Sequence, residues 1–562
     1  MTAKRLRQIF ALAVAVAGLG ATLGARPPVY PSKLDHVLRG GATGEIQVIV
    51  RARPGMTGLL RAHLLGRGTV LKDHALIGAL TARVPASRLS DLDGDAAVDS
   101  VSLDAPMIAT TFTNAQTGPG VELVPSLGLP VPGVTGHGVG VLVIDSGLDT
   151  NEDFGSVRFF DFTPAAGHHA YDDFGHGTHV SGLIASKGHL SQTPSGPLYP
   201  GIAPKAHLIS VKVLDAHGTA MTSTVIEALE FAIKYKKALG IDVINLSLGH
   251  PIFEPPDTDP LVRAVEAATE AGIIVVVAAG NVGQNPKTGA VGYAGILSPA
   301  NAESAITVGA LDTRNTVTRG DDAVPQYSSR GPTWFDARPK PDFVAPGQNL
   351  VSDAAPGSTL YLEHPDHLVT LSSKHTFFRL SGTSMAAAVT SGVVALLVEA
   401  SRRADGTSPP PRLVKDILSY TATPLAGYDG LTQGHGALNA AGAIAVAKAL
   451  SAAASTTGNW WTTLHLQPFT VVAGESWPWA QSTVFPPSLT RRDGVNIPAW
   501  AQTIVWGSSR DGDTIVWGTN ADGDTIVWGT DADGDTIVWG TSVDWTDAVL
   551  WGTAPQGLLP GG

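Results

Sequence analysis

Between residues 138 and 308 the chain alternates continuous apolar runs with helical patterns, and few folds accept that alternation. Gly138 to Ile144, His207 to Leu214, Ile241 to Leu246, Ile273 to Val277 and Ala305 to Val308 read as strands with no polar face. Thr224 to Leu239 and Leu261 to Ala271 carry helical spacing between them. Strands buried on both sides and separated by helices predict a parallel sheet with helices on both faces, a three-layer α/β domain. In such sheets the chemistry collects beyond the carboxyl ends of the strands. Asp145 and Asn281 fall at two of those ends.

A second feature sits downstream. In Leu380-Ser381-Gly382-Thr383-Ser384-Met385-Ala386 a hydroxyl residue follows a Gly-Thr turn and precedes a run of small and apolar residues to Leu397. The run predicts a buried helix beginning at or just after Ser384. A serine there has free backbone N–H groups and the positive helix end beside it. It is either an N-cap or a nucleophile whose attack creates an oxyanion.

Three further stretches favour the nucleophile. Val143-Ile144-Asp145-Ser146-Gly147 places a carboxylate where a buried strand stops, and Gly175-His176-Gly177-Thr178-His179-Val180 opens an apolar helical run. Val275 to Asn281 ends a strand in a side-chain amide. Each alone is an ordinary turn or cap residue. Together they supply what acyl transfer needs: Ser384 as nucleophile, His176 as base and Asp145 as the acid that fixes the base's tautomer. The Asn281 amide and the Ser384 N–H supply oxyanion donors.

At these residues the sequence resembles the subtilisin-like serine peptidases, the subtilase family, from about Gly136 to Ala449. The resemblance rests on 143–147, 176–182, 244–249, 278–281, 298–310, 327–332, 340–347 and 382–386. It assigns the base to His176 and leaves His179 structural. It implies walls for an extended peptide at Ser247, Leu248 and Gly249 and at Ala278, Ala279 and Gly280, which expose backbone for strand addition. Their small side chains leave room for a large apolar residue before the scissile bond, so broad endopeptidase action with an apolar preference is expected. Two departures stand out. Ala387-Ala388-Val389-Thr390 lacks the family's Pro-His-Val, and residues 313–325 and 354–378 look inserted.

The flanks complete the expected organisation. Lys4, Arg5 and Arg7 precede the apolar stretch Ile9 to Ala25, which reads as a signal peptide over 1–25 and implies secretion to periplasm or medium. After a linker at 26–44, residues 45–106 follow a β-α-β-β-α-β-like pattern. This small α+β, ferredoxin-like unit resembles the family's propeptide, an intramolecular chaperone and inhibitor removed by self-cleavage. Residues 107–119 are a linker and processing region, 120–450 the catalytic domain and 451–502 a second linker. Over 503–553 the motif Thr503-Ile504-Val505-Trp506-Gly507 returns in steps of eleven, a β-rich repeat, and 554–562 form the tail.

Composition narrows the rest. The chain has 562 residues, no cysteine and a formal charge of −12. Thiolate chemistry, disulfides and cysteine-bound zinc are excluded, and a nucleic-acid partner is disfavoured. The expected partners are polypeptide substrates and the chain's own propeptide. No membrane contact is expected once the signal is removed, and a monomer is expected. No cofactor is required for the chemistry. Asp531, Asp533 and Asp535 around Gly534 offer a composition that suits structural Ca²⁺, although solvated turn acids explain them better. The competing functional readings are an adhesion protein using the Trp repeats, with the α/β domain as scaffold, and another serine acyl hydrolase. The residue order and the absence of a Gly-x-Ser-x-Gly elbow oppose the latter.

Overall fold

The computed structural model describes residues 32–111, 123–284 apart from 166 and 168, 291–371, 375–453 and 466–482, with four short strands between 504 and 539. The signal stretch, most of the expected processing linker and the Asp531–Asp535 turn lie outside the described residues.

The first unit is a four-stranded antiparallel sheet. β1 (Glu45–Ala52), β2 (Thr69–His74), β3 (Ala79–Pro85) and β4 (Val98–Leu103) lie in the order β2-β3-β1-β4. Helices α1 (Thr57–Leu65) and α2 (Leu89–Asp93) close one face over Leu60, Leu64, Leu89 and Leu92. The sequence pattern foresees β1, β3, β4 and both helices. β2 reads as a strand only in the structure, because Thr69 to His74 mixes charge and apolar residues and buries a side chain only at its end, His74. The other face of the sheet, with Ile49 and Ala79, packs into the core of the following domain.

That domain is built on seven parallel strands. β5 (Pro106–Ala109) leads to it outside the sheet. β6 (Gly140–Asp145), β7 (Arg158–Asp161) and β8 (His207–Lys212) are followed by a short rim strand, β9 (Thr219–Met221). β10 (Val243–Leu246) is followed by a second, β11 (Leu248–Gly249), and β12 (Ile274–Ala278), β13 (Ile306–Leu311) and β14 (Phe343–Pro346) complete the set. The order is β14-β13-β12-β10-β6-β8-β7. Successive side chains alternate between two apolar cores. Val141, Val143, Val243 and Val276 face α3 (His176–Ala185) and, further along the chain, the long core helix. Leu142, Ile144, Ile244 and Val277 face α4 (Thr222–Leu239) and α5 (Pro260–Glu270). Period-two alternation between two buried faces is why these strands show no polar stripe.

After β14 the antiparallel trio β15 (Leu350–Asp353), β16 (Leu368–Thr370) and β17 (Thr376–Leu380) encloses α6 (Thr359–Glu363). The core helix α7 (Thr383–Asp405) follows. By length and composition its stretch Thr383–Ala404 passes as a membrane span, yet its most apolar 18 residues are buried in protein. Later come α8 (Pro411–Thr421) and α9 (Ala440–Ala453), then a hairpin of β18 (Phe469–Val472) and β19 (Glu475–Pro478). This hairpin falls inside the stretch expected to be a linker. It is anchored because Trp479 Nε1 and Asn439 Nδ2 both donate to Thr470 Oγ1, while Ala480 N donates to Ala422 O. Trp479 is buried. Residues 504–508 pair with 514–517, and 526–530 with 536–539, as antiparallel hairpins.

Candidate active site

Asp145 is the last residue of β6, and His176 the first of α3. His176 Nδ1 lies 2.8 and 3.0 Å from the two Asp145 carboxylate oxygens, and both side chains are buried. A carboxylate only accepts, so Nδ1 carries the hydrogen and the Nε2 lone pair is free to take a proton. Nε2 is buried without a hydrogen-bond partner.

The pair is held by residues the sequence reading did not single out. Asp172 accepts from Gly175 N, Thr178 N, Thr178 Oγ1 and Ser146 Oγ, at 2.7–2.8 Å. It thereby ties the turn after β6 to the start of α3, in the manner of an N-cap. Lys212, almost wholly buried, donates to Ser146 O, Leu214 O and Asp173 Oδ1. An acid three or four residues before a helical His is the signal that marks Asp172. His179 is part of the packing: its Nε2–H donates to Leu350 O at 3.1 Å, and burial pushes it down to about 3, so it stays neutral.

Ser384 is the second residue of α7, and α7 packs against α3. No hydrogen bond joins its Oγ to His176. Ser384 Oγ instead donates towards Thr110 O at 2.6 Å and lies 3.1 Å from Ser247 O. Thr110 Oγ1 is 2.7 Å from the same hydroxyl. Thr110 O also receives the Ser384 N–H, at 3.4 Å.

Asn281 lies near the same turn, beside Gly382. Its Oδ1 accepts from Thr383 N and Thr383 Oγ1, at 3.0 and 2.9 Å, which leaves Nδ2 buried and unpartnered. A Cβ placed on Gly382 would lie 2.7 Å from Thr110 O and 3.1 Å from Asn281 Nδ2. Only glycine fits there, with φ at 150°.

Thr110 arrives as the end of an inserted strand. β5 runs antiparallel between the rim strands: Ile108 opposes Gly249 and Thr219, and Ala109 opposes Leu248. Thr110 N donates to Ser247 O, and Ala109 N to Gly218 O. Ser247, Leu248 and Gly249 therefore pair with a strand, although that strand is the chain's own. Ala278 ends β12, and Ala279 and Gly280 follow it. Leu297 lies beside both Gly249 and Gly280. A Cβ on Gly280 would lie 2.7 Å from Leu297 Cγ, and one on Gly249 3.1 Å from Leu297 Cβ.

A parallel three-layer domain that gathers a carboxylate–imidazole pair and a helix-start serine at the carboxyl rim of one sheet has the architecture of a serine hydrolase. Comparison with known proteins narrows that class. Residues 136–443 match the subtilase family. The chain is 39% identical over 314 residues to serine protease AprX of Bacillus subtilis (strain 168), covering 55% of this chain and 66% of AprX. It is 33% identical over 358 residues to subtilisin E of the same organism, covering 63% of this chain and 78% of that one. In fold it is similar to fervidolysin from Fervidobacterium pennivorans, a keratinolytic enzyme related to subtilisin. There the TM-score is 0.57 and the identity 21%, over 74% of this chain and 64% of that chain. The chain thus spans about two-thirds of the length of AprX and of fervidolysin. It belongs to the subtilase family of serine-type endopeptidases, whose substrates are polypeptides and whose catalysis needs no cofactor.

Proposed function

We propose that this chain is a secreted serine endopeptidase made as a self-inhibited zymogen, and that the first bond it hydrolyses is its own Thr110–Thr111. One observation carries the reading: the carbonyl oxygen of Thr110 lies 2.6 Å from Ser384 Oγ and 3.4 Å from Ser384 N, and both it and the unpartnered Asn281 amide lie beside Gly382. In this reading Ser384 Oγ attacks the Thr110 carbonyl carbon and its proton passes to His176 Nε2. Asp145 holds the imidazole and stabilises the imidazolium. Asn281 Nδ2 and Ser384 N take the oxyanion. His176 then protonates the Thr111 nitrogen, the C–N bond breaks, and water releases Thr110 from the acyl-enzyme with His176 again as base.

Residues 45–106 then serve as the propeptide, and β5 keeps its C-terminal end in the cleft after the cut as a bound product. External polypeptides take the place of β5, by strand addition between β9 and β11. The sequence suggested room for a large apolar side chain before the scissile bond. Leu297 lies beside both Gly249 and Gly280, and the chain itself presents Thr110, so small side chains are proposed at that position instead. The signal peptide over 1–25 supports export, and a monomer suffices for every step. Structural Ca²⁺ at Asp531, Asp533 and Asp535 stays a proposal, and no observation favours the adhesion reading.

The test is a Ser384→Ala protein beside the wild type. The wild type yields a fragment whose N-terminal sequence begins at Thr111, and a serine-reactive fluorophosphonate labels Ser384. The alanine variant stays uncut and unlabelled. Processing in the variant, or a new N-terminus elsewhere in a freshly cut wild type, refutes the assignment.

A further inference from the structure

A second cluster of reactive side chains lies apart from the cleft, in the inserted excursion 354–378. We propose that His364, Asp366 and His367 bind one borderline transition-metal ion of the Zn²⁺ type, and that the ion braces this excursion against β17.

The local geometry follows from the sequence His364-Pro365-Asp366-His367. Pro365–His367 form a 3-10 turn with His364 as its N-terminal flank. In such a turn side chains three apart eclipse. The two imidazoles accordingly share a face, with ring centroids 5.3 Å apart. One ligand atom from each of the three residues lies within 4.8 Å of the others, and Asp366 Oδ2 is 3.7 Å from His367 Nε2. Zinc binding at about 2.0–2.1 Å per ligand requires a modest contraction. His364 is half-buried and Asp366 exposed, so both have freedom to rotate inward.

His367 is already set. Its Nδ1–H donates to Arg379 O at 3.0 Å, and a carbonyl only accepts, so the lone pair sits on Nε2, towards Asp366. This is the outer-sphere arrangement that fixes tautomer and ring angle in histidine–metal sites. The ring is buried and packs against Phe378, 5.8 Å between centroids. Two imidazoles and one carboxylate match Zn²⁺, Co²⁺ or Ni²⁺ and not Ca²⁺ or Mg²⁺, which favour oxygen-rich shells. Water completes the coordination.

The position gives the ion a consequence. Just upstream, Thr359 N and Leu360 N donate to Asp173 O and Phe174 O, in the loop before His176, and Thr359 Oγ1 donates to Ala216 O beside the cleft. Just downstream, β17 runs from Thr376 to Leu380 and enters the turn that presents Ser384. An ion at the excursion's corner therefore braces segments adjoining both halves of the active site.

The experiment uses full-length Ser384→Ala protein, so that processing does not complicate it. Zn²⁺ is titrated calorimetrically, Co²⁺ is followed by its visible absorption, and thermal unfolding is recorded with and without Zn²⁺. The expected result is saturable binding of one ion and a rise in unfolding temperature. His364→Ala and Asp366→Asn, both at accessible positions, each weaken binding more than about tenfold and abolish the thermal shift. Near-UV circular dichroism verifies their folds. Absence of saturable binding, or parent-like binding in either variant, overturns the site. Ca²⁺ competing as well as Zn²⁺ overturns the metal class.

Discussion

The side-chain amide of Asn281 is oriented before any substrate arrives. Thr383 engages its oxygen through both backbone and hydroxyl, which leaves the buried nitrogen unpartnered beside Gly382 and available to a developing oxyanion. Donors fixed in advance cost no reorganisation when charge develops, which makes them worth more than equivalent donors in water. Asn281→Ala should lower kcat by about 10²- to 10³-fold, the usual loss for one oxyanion donor, with KM nearly unchanged. Steady-state kinetics on a peptide substrate decides this. A matching rise in KM with kcat intact would mean that Asn281 binds the ground state instead.

At the scale of elements, strand pairing and pocket shape divide the labour of recognition. On the proposed reading, β9 and β11, which pair with β5, would offer backbone to an extended peptide, and Leu297, beside Gly249 and Gly280, would limit the side chain before the scissile bond. Leu297→Gly should move the preferred residue before the scissile bond from small to large apolar, read from the cleavage profile of a peptide library. An unchanged profile would place the specificity elsewhere. The same elements show what a sequence conveys. The parallel sheet was legible because its strands are apolar on both faces, and the positions of Asp145, His176 and Ser384 because each sits where a buried run starts or stops. Leu297 was not, since an apolar residue before Ser298-Pro299 carries no local sign that it lies between two glycines distant in the chain. β2 was hidden by its charged residues. The hairpin at 469–478 was hidden because its partners, Asn439 and Ala422, lie in a different segment.

At the scale of the molecule, the N-terminal unit meets the catalytic domain across buried acids. Asp35 and Ser102 come from the N-terminal side. Glu254, Asp259 and His250 come from the other, with Phe253 between them. Arg51, Arg263 and Arg39 are nearby cations. Burial, then Asp259 and Asp35, push Glu254 up to about 8, and burial raises Asp35 to about 6. Docked Glu254 is therefore protonated at neutral pH, and separation lets it ionise. The docked state holds the extra proton, so docking is strongest in acid and weakens as pH rises from the ordinary carboxylate range towards 8. After cleavage, the N-terminal fragment should dissociate faster with rising pH in size-exclusion or stopped-flow measurements. Glu254→Gln should flatten that dependence. A slope of opposite sign would contradict the account.

The seating of Thr110 on Ser384 has one further consequence, for timing. If Thr110–Thr111 is the first bond cut, nucleophile and target already touch within a single folded chain, so maturation needs no encounter between molecules. Its half-time should be the same in dilute and concentrated samples, and mature enzyme added at the start should not shorten it. Each copy would then carry its own clock, started by folding.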